Sequence, residues 1–525
     1  MSESSLRPAD KEEVSFSSVL LKTFHELTIE NDGATLSSQT LVSALSKTLG
    51  TSGMLVRGML AACELMAEYA MAPEDVYEDS IEEEAEAIAA SRRAFRPLLQ
   101  ARLQQRIDRI DAENVARTMC PLCENTMSSK GRPARKWASS LGELFLSRRW
   151  SLCEQEEHSE GRSLAQEKLL LPNGARTARL DESISMMATA TSSHGMAERL
   201  LQRVLGVDVS THTVQNVVHE RAGRLMPLDD AEAEAQNPFH PSGLERKVAR
   251  STQAVKQTPE IVYVEIDGVL PMTRELIPER SEFFPGARGG KGRRYKLEGR
   301  EVKNAVLYEA DAAVQESDSR GSILDKRYVS VLGHWHGFAR HLWVAMRHLR
   351  FDEASQIVWL SDGAKWIREL AAWLPCSDRV TLVLDLYHAK HRVWELANAL
   401  YGAHSTLASR WAHEQCCEIE DGDINNVIAR LRSMGPASDA AGEKLEELIT
   451  YFSNNADRMN YPEYRAQGLR ITSGGVESAN YHVTGQRLKL QGMRWSERGA
   501  AEMARLRADF FNDTWEQRTR LALAA

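Results

Sequence analysis

Two short apolar runs, each finishing on an acid and separated by one amphipathic stretch, constrain this 525-residue chain more than anything else in it. Ile357, Val358, Trp359 and Leu360 run unbroken into Ser361 and Asp362, as a strand buried on both faces does. Trp366, Ile367, Leu370, Ala371 and Leu374 then recur at helical spacing before Pro375. A second run, Val380 to Leu384, ends on Asp385 with His388 three residues on. Strand, helix and strand over this length make a crossover between parallel strands. Open α/β sheets gather functional groups at their carboxyl edge, where both acids fall. An ordinary α/β unit with solvated loop acids would read the same over this stretch alone.

The chain is long enough for several cores, and 42% hydrophobic with 26% charged residues is an ordinary globular balance. The opening MSESSLRPADKEEVS lacks a signal-peptide core and no apolar run spans a bilayer, so the expected setting is cytoplasmic, with no membrane partner. Seven cysteines are too few for a disulfide scaffold. A net charge of −9 argues weakly against nucleic acid, but local basic stretches decide more than the total.

In chain order, residues 1–115 read as a helical, acidic interaction region. Residues 116–165 read as a zinc-ribbon-like module, in which Cys120 and Cys123 form half a knuckle and Cys153 with His158 supply the other half. Glu156 stands where a regular ribbon would have its fourth cysteine, and a hairpin with incidental cysteines is the plainer alternative. Residues 175–230 read as three short helices with a helix-turn-helix in the last two: Gly206 ends one, Ser210 caps the next, and Val214, Val217, Val218 and Leu225 form its apolar stripe. Its other face offers Thr211, Thr213, Gln215 and Asn216 for base edges and Arg221 and Arg224 for phosphates. Such helix triplets also occur in proteins that never meet DNA.

Residues 255–395 carry the strands. IVYVEI, Ile261 to Ile266, finishes on Asp267, and a basic tract with Lys291, Arg293, Arg294 and Lys303 follows, suited to a phosphate backbone or to being a solvated loop. Val302 to Leu307 and Tyr328 to Leu332 are the next strands, before a helix from about Gly337 to Leu349. The order β-β-β-α-β-α-β is the ribonuclease H arrangement, whose first and fourth strands are neighbours. Asp362 therefore stands beside the strand bearing Asp267, and Asp385 lies one strand further out. Residues 396–470 read as an all-α insertion. Residues 471–525 close the fold, with Gly474 and Gly475 opening a helix that carries Glu477.

The segments SDGAKWI, DLYHAKHRVWELA, MNYPEYR and SGGVESAN with RLKLQGMRW resemble the DDE transposases of the Kra insertion-sequence family, relatives of the bacterial Mutator-like elements. The resemblance spans roughly Cys120 to Trp495 in one order. It implies a ribonuclease H-like catalytic core with a helical insertion, the metal-binding acids falling on Asp267, Asp362 and Glu477. It also implies that Asp385 with His388 is a supporting pair of the C/D-x-x-H kind.

Three carboxylates about 4 Å apart repel by roughly 4 kcal/mol per pair at an effective dielectric of 20, so they share protons or bind cations. Two Mg²⁺ or Mn²⁺ ions are the expected cofactors, with Zn²⁺ in the ribbon. The expected activity is Mg-dependent cleavage and strand transfer of double-stranded DNA at element ends and target, by a homodimer or larger assembly. A DNA-binding regulator with idle carboxylates and a structure-selective nuclease are the rival readings.

Overall fold

A computed structural model describes residues 22–23 and 37–524, apart from 74–75, 77–78, 115–117, 156–159, 173, 239–257, 278–294, 318–319 and 436–437. The chain divides into two compact units, residues 1–183 with 199–209 and residues 184–198 with 210–525. The boundary passes through the helices Ala178–Ala190 and His194–Leu205.

The first unit opens with helices Ser38–Leu49, Gly53–Ala70 and Ser80–Glu113, and Ser37, Ser52 and Asp79 cap their first-turn amides. On the 34-residue third helix, Ala90, Ala94 and Ala101 are buried. Small side chains let the preceding helix approach closely: a Cβ at Gly58 would meet that of Ala101 at 3.0 Å. Ile107 and Ile110 then pack on Trp137 and Leu146 of a hairpin formed by Ala134–Ser139 and Gly142–Ser147.

The second unit is built on five strands: β1 (Ile261–Val269), β2 (Val302–Glu309), β3 (Arg327–Leu332), β4 (Gln356–Ser361) and β5 (Val380–Leu384). They lie side by side in the order β3-β2-β1-β4-β5. The first three pair antiparallel, and β1, β4 and β5 run parallel. The first and fourth strands are therefore neighbours, with Ser361 opposite Ile266.

Alternation along β1 sends Val262, Val264 and Ile266 to one face. There Phe338 and Leu342 of α2 (Trp335–Leu349) and Ile367 and Leu370 of α3 (Lys365–Trp373) cover them. Tyr263 and, by the same alternation, Glu265 and Asp267 take the other face. Tyr263, Val306, Val358 and Val383 pack there with Leu386 and Val393 of α4 (Leu386–Tyr401), Phe452 of α5 (Asp439–Asn455) and Val476 of α6 (Gly474–Ala479). Between α4 and α6 the described residues contain helices and no strand, as expected for an all-α insertion.

Two features depart from the sequence reading. β1 does not end at Asp267 but stays paired with β2 through Val269, leaving Asp267 inside the strand opposite Asn304. Two peripheral hairpins, Met272–Leu276 with Tyr295–Gly299 and Ala313–Ser317 with Arg320–Ile323, carry too little apolar alternation to be read as strands. No helix among the described residues is long and apolar enough to cross a membrane.

Candidate functional site: the carboxyl edge of the sheet

β1, β4 and β5 deliver Asp267, Asp362 and Asp385 to one edge because they run parallel and each carries its acid near its C-terminus. Asp362 sits in a tight turn: its Oδ1 accepts from the Ala364 amide at 3.0 Å, and the next residue, Gly363, has φ +87°. A side chain at Gly363 would also collide with Leu384, its Cβ falling 2.6 Å from Cδ1, so the Asp-Gly pair is sterically required. The Tyr451 hydroxyl from α5 donates to the Asp362 carbonyl at 2.9 Å and fixes the turn.

Asp267 is held differently. Its Oδ1 accepts from the Gly268 amide at 2.7 Å, and its Oδ2 accepts from Nδ2 of Asn480. The orientation of that amide is set further back: Asn304 Nδ2 donates to Asn480 Oδ1 at 2.7 Å, while Asn304 Oδ1 accepts from Ser330 and, at 3.1 Å, from Thr484. Every member of this chain is fixed by the next, so Asn480 can only present its NH₂ to Asp267. Burial is the main reason that Asp267 titrates at about 6, and the nearby Asp362 charge raises it further. The Gly268 and Asn480 hydrogen bonds and His388 pull the other way. Such a carboxyl is half-charged at about pH 6, well above the range of an ordinary aspartate, and shifts of this kind cluster at functional sites.

Asp385 is fully buried and its oxygens are saturated. Oδ1 accepts from the His388 amide at 2.7 Å and from His388 Nδ1 at 3.1 Å, and Oδ2 accepts from the amide and the hydroxyl of Ser473. Four hydrogen bonds occupy all the lone-pair positions of a carboxylate. They hold Asp385 charged and its pKa below the ordinary range, although burial acts against this. The pair raises the His388 pKa, chiefly through its hydrogen bond to Asp385, with Asp267 and Asp362 adding to it. Nδ1 is thereby committed to Asp385, leaving Nε2 as the ring's other polar atom.

Glu477, on the exposed side of α6, comes within 4.8 Å of both Asp385 and His388 as potential ligand groups, and burial with the Asp385 charge raises its pKa. Asp267, Asp362 and Glu477 do not form such a close trio among the described residues. Asp267 and Asp362 are coupled to each other, Glu477 is grouped with Asp385, and His388 belongs to both sets. The expected 4 Å spacing of all three carboxylates is not met, in keeping with the repulsion that such a spacing carries.

The donor chemistry suits a hard divalent cation: exposed or half-buried carboxylate oxygens from Asp267, Asp362 and Glu477, with one imidazole beside them. Asp385 is buried, and its oxygens already accept four hydrogen bonds, although it stands within 4.8 Å of His388 and Glu477. A separate cluster in the first unit is soft. The sulfurs of Cys120, Cys123 and Cys153 lie within 4.8 Å of one another, Cys123 and Cys153 being 3.7 Å apart. That is too far for a disulfide and close to the roughly 3.8 Å edge of a tetrahedron with metal–sulfur bonds of about 2.3 Å. Glu124 (φ 58°) turns the chain between them, and the Glu124 amide donates to the Cys120 carbonyl at 3.0 Å. His158 lies outside the described residues, as do Lys291, Arg293 and Arg294.

The residues read as DNA contacts separate into two groups. The helix α1 (Thr211–Ala235) continues ten residues beyond Leu225. Thr211, Gln215, Asn216 and Arg224 are exposed and Thr213 is half-buried. Arg221 is not available to phosphate: it is buried, its guanidinium stacks 3.9 Å from the Trp515 ring centroid, and it donates to Thr519 and to the Trp515 carbonyl. The same helix is tied down by Arg518, which grips Asp229 through two 2.7 Å bonds. Lys303, read with the basic tract, is likewise buried, paired with Glu301 and donating to the Gly333 carbonyl at 3.1 Å.

Fold and site together define a multidomain α/β protein whose mixed sheet gathers acids and one histidine at its carboxyl edge. The chain belongs to the uncharacterised protein family UPF0236, whose model matches residues 80–522. No curated protein matches it.

Proposed function

We propose that this chain is a metal-dependent DNA transposase with a ribonuclease H-like core, acting on the ends of an insertion sequence. The observation that carries the reading is the strand order β3-β2-β1-β4-β5, with Asp267 on the central strand and Asp362 at the end of its parallel neighbour. The helix bearing Glu477 lies over the same face, and the family is associated with transposase-like proteins.

Asp267, Asp362 and Glu477 would hold two Mg²⁺ or Mn²⁺ ions, which supply electrophilic activation of the attacking and leaving oxygens in an in-line phosphodiester displacement. The chain's own residues prepare the site. Asn480 and Gly268 orient Asp267, Ala364 orients Asp362, and Asp385 fixes the tautomer of His388 through Nδ1. Cys120, Cys123 and Cys153 would hold Zn²⁺ with His158 as fourth ligand, giving the first unit a rigid module for DNA. Thr211, Thr213, Gln215, Asn216 and Arg224 would contact element-end DNA, and pairing of two ends requires a dimer or larger assembly.

The test is incubation of the protein with DNA carrying the ends of its own element, in Mg²⁺ or Mn²⁺. End-specific nicks and joined products are expected, lost in Asp267→Ala, Asp362→Ala and Glu477→Ala. Binding without cutting would favour an idle regulator, and cutting of branched DNA without joining would favour a nuclease.

A further inference from the structure

We infer that Glu265, which no motif singles out, is a positioning residue for Glu477: its carboxylate holds the first turn of the helix that carries that acid and so sets where the acid stands over the sheet edge. This rests on the reading of Glu477 as a metal ligand.

Glu265 is fully buried at the centre of β1, two residues before Asp267 and on the same face. A buried carboxylate there is costly unless hydrogen bonds compensate it, and a leucine would fill the position without that cost. The bonds it makes are specific. Oε1 accepts from the Tyr308 hydroxyl at 2.5 Å, and Oε2 accepts from the Val476 amide at 2.8 Å.

The second bond replaces one that the helix cannot make for itself. Ser473 is the N-cap of α6, and Val476 is the third residue of its first turn. An N-cap serine ordinarily accepts from that third amide. Here Ser473 makes no cap bond to its own helix: its hydroxyl is turned to Asp385. The orphaned Val476 amide is taken instead by Glu265, from the sheet. Glu477 is the fourth residue of the turn, one past the position where an acid would fold back on the cap, and its carboxylate stays exposed to the site.

The glycine before it supports the same account. A Cβ at Gly475 would fall 2.8 Å from Glu265 Oε2 and 2.8 Å from Ile323 Cδ1, so the backbone of residues 475–476 lies against the carboxylate with no room for a side chain. The first turn of α6 is thus pinned to two strands, through Asp385 on the β5 side and Glu265 on β1. The pinned amide belongs to the residue immediately before Glu477.

Two measurements on the full chain test this, using Glu265→Leu, which removes both acceptors at similar volume, and Glu265→Gln, which keeps one. By hydrogen exchange, amides of residues 473–480 are expected to exchange about 10-fold faster in the Leu variant, with strands β4 and β5 unchanged and the Gln variant close to wild type. Unchanged exchange at 473–480 in the Leu variant, or a Gln variant as fast as Leu, overturns the proposal. In the second, Mn²⁺ affinity is expected to fall by about 10- to 100-fold in Glu265→Leu but by less than about twofold when the same change is made on Glu477→Ala. A loss that persists without Glu477 overturns the positioning role. Failure of the wild-type chain to bind Mn²⁺ overturns the metal reading of the site instead, and the exchange result still decides the role of Glu265.

Discussion

Replacing Asp267 with asparagine is expected to stabilise the metal-free protein at neutral pH. Burial raises this carboxyl from its ordinary 3.8 to about 6. At about 1.36 kcal/mol per pH unit, the gap means that keeping Asp267 charged costs the fold about 3 kcal/mol. The sign follows from the direction: a carboxyl whose folded pKa lies above its unfolded one favours folding when protonated. That contribution is complete below about pH 4 and fades as pH climbs to about 6. Asparagine is neutral throughout and keeps an oxygen for the Gly268 amide, but its NH₂ would face the NH₂ of Asn480, which the Asn304 network prevents from turning. That conflict costs about 1 kcal/mol. The net gain is about 2 kcal/mol at pH 7.5, or about 4 °C in melting temperature for a unit of this size. Thermal melts in chelator at pH 7.5 and pH 4 check it: the Asn variant melts higher at the first and no higher at the second. A variant that melts below wild type at pH 7.5, or a difference that does not change with pH, refutes the account of Asp267.

Other expectations follow from the same geometry. Asp385→Asn should cost about 3 kcal/mol, since it leaves Ser473 and His388 facing a group that can no longer accept all four bonds. Because Asp385 raises the His388 pKa, the stabilisation from that pair is present below pH 6.5 and disappears as pH rises through the folded value. The His388 ring titration by NMR should accordingly move to lower pH in the variant, and an unmoved titration would contradict the pairing. Arg221→Ala should destabilise the fold by about 2 kcal/mol through loss of the Trp515 stack and its hydrogen bonds, whereas Arg224→Ala should leave melting unchanged and weaken DNA binding with a shallower salt dependence. The reverse pattern would return Arg221 to the DNA surface. Purified protein should contain about one zinc per chain by elemental analysis, lost in Cys123→Ser, and zinc-free protein with intact melting would remove the metal from the first unit.

The sheet was legible because its strands are long apolar runs. Val380–Leu384 matches its expected bounds, and the acids at Asp362 and Asp385 follow from where those runs stop. Asp267 was found but misplaced, since continued pairing with β2 to Val269 depends on a partner strand that local sequence does not reveal. Glu265, Asn304 and Asn480 were missed for the same reason: each is one polar residue in a strand or helix, and its meaning lies in contacts to residues 40 to more than 200 positions away. The interval from Glu265 to Val476 is 211 residues. The double glycine before Val476 was the local trace of that contact, because a helix start with no side chains invites a group from elsewhere. Arg221 was misread because the partners that bury it, Trp515 and Thr519, lie 294 and 298 positions further along the chain. Burial of that face of the helix against them turns an apparent phosphate contact into core.

The most direct test is where manganese sits. Anomalous diffraction from crystals grown with Mn²⁺ at pH 7.5 should place ions within about 2.3 Å of carboxylate oxygens of Asp267 and Asp362, with Glu477 drawn toward them and Asp385 still bonded to Ser473 and His388. Ions bound at Asp385 instead, or no ion at Asp267 and Asp362, would contradict the central claim.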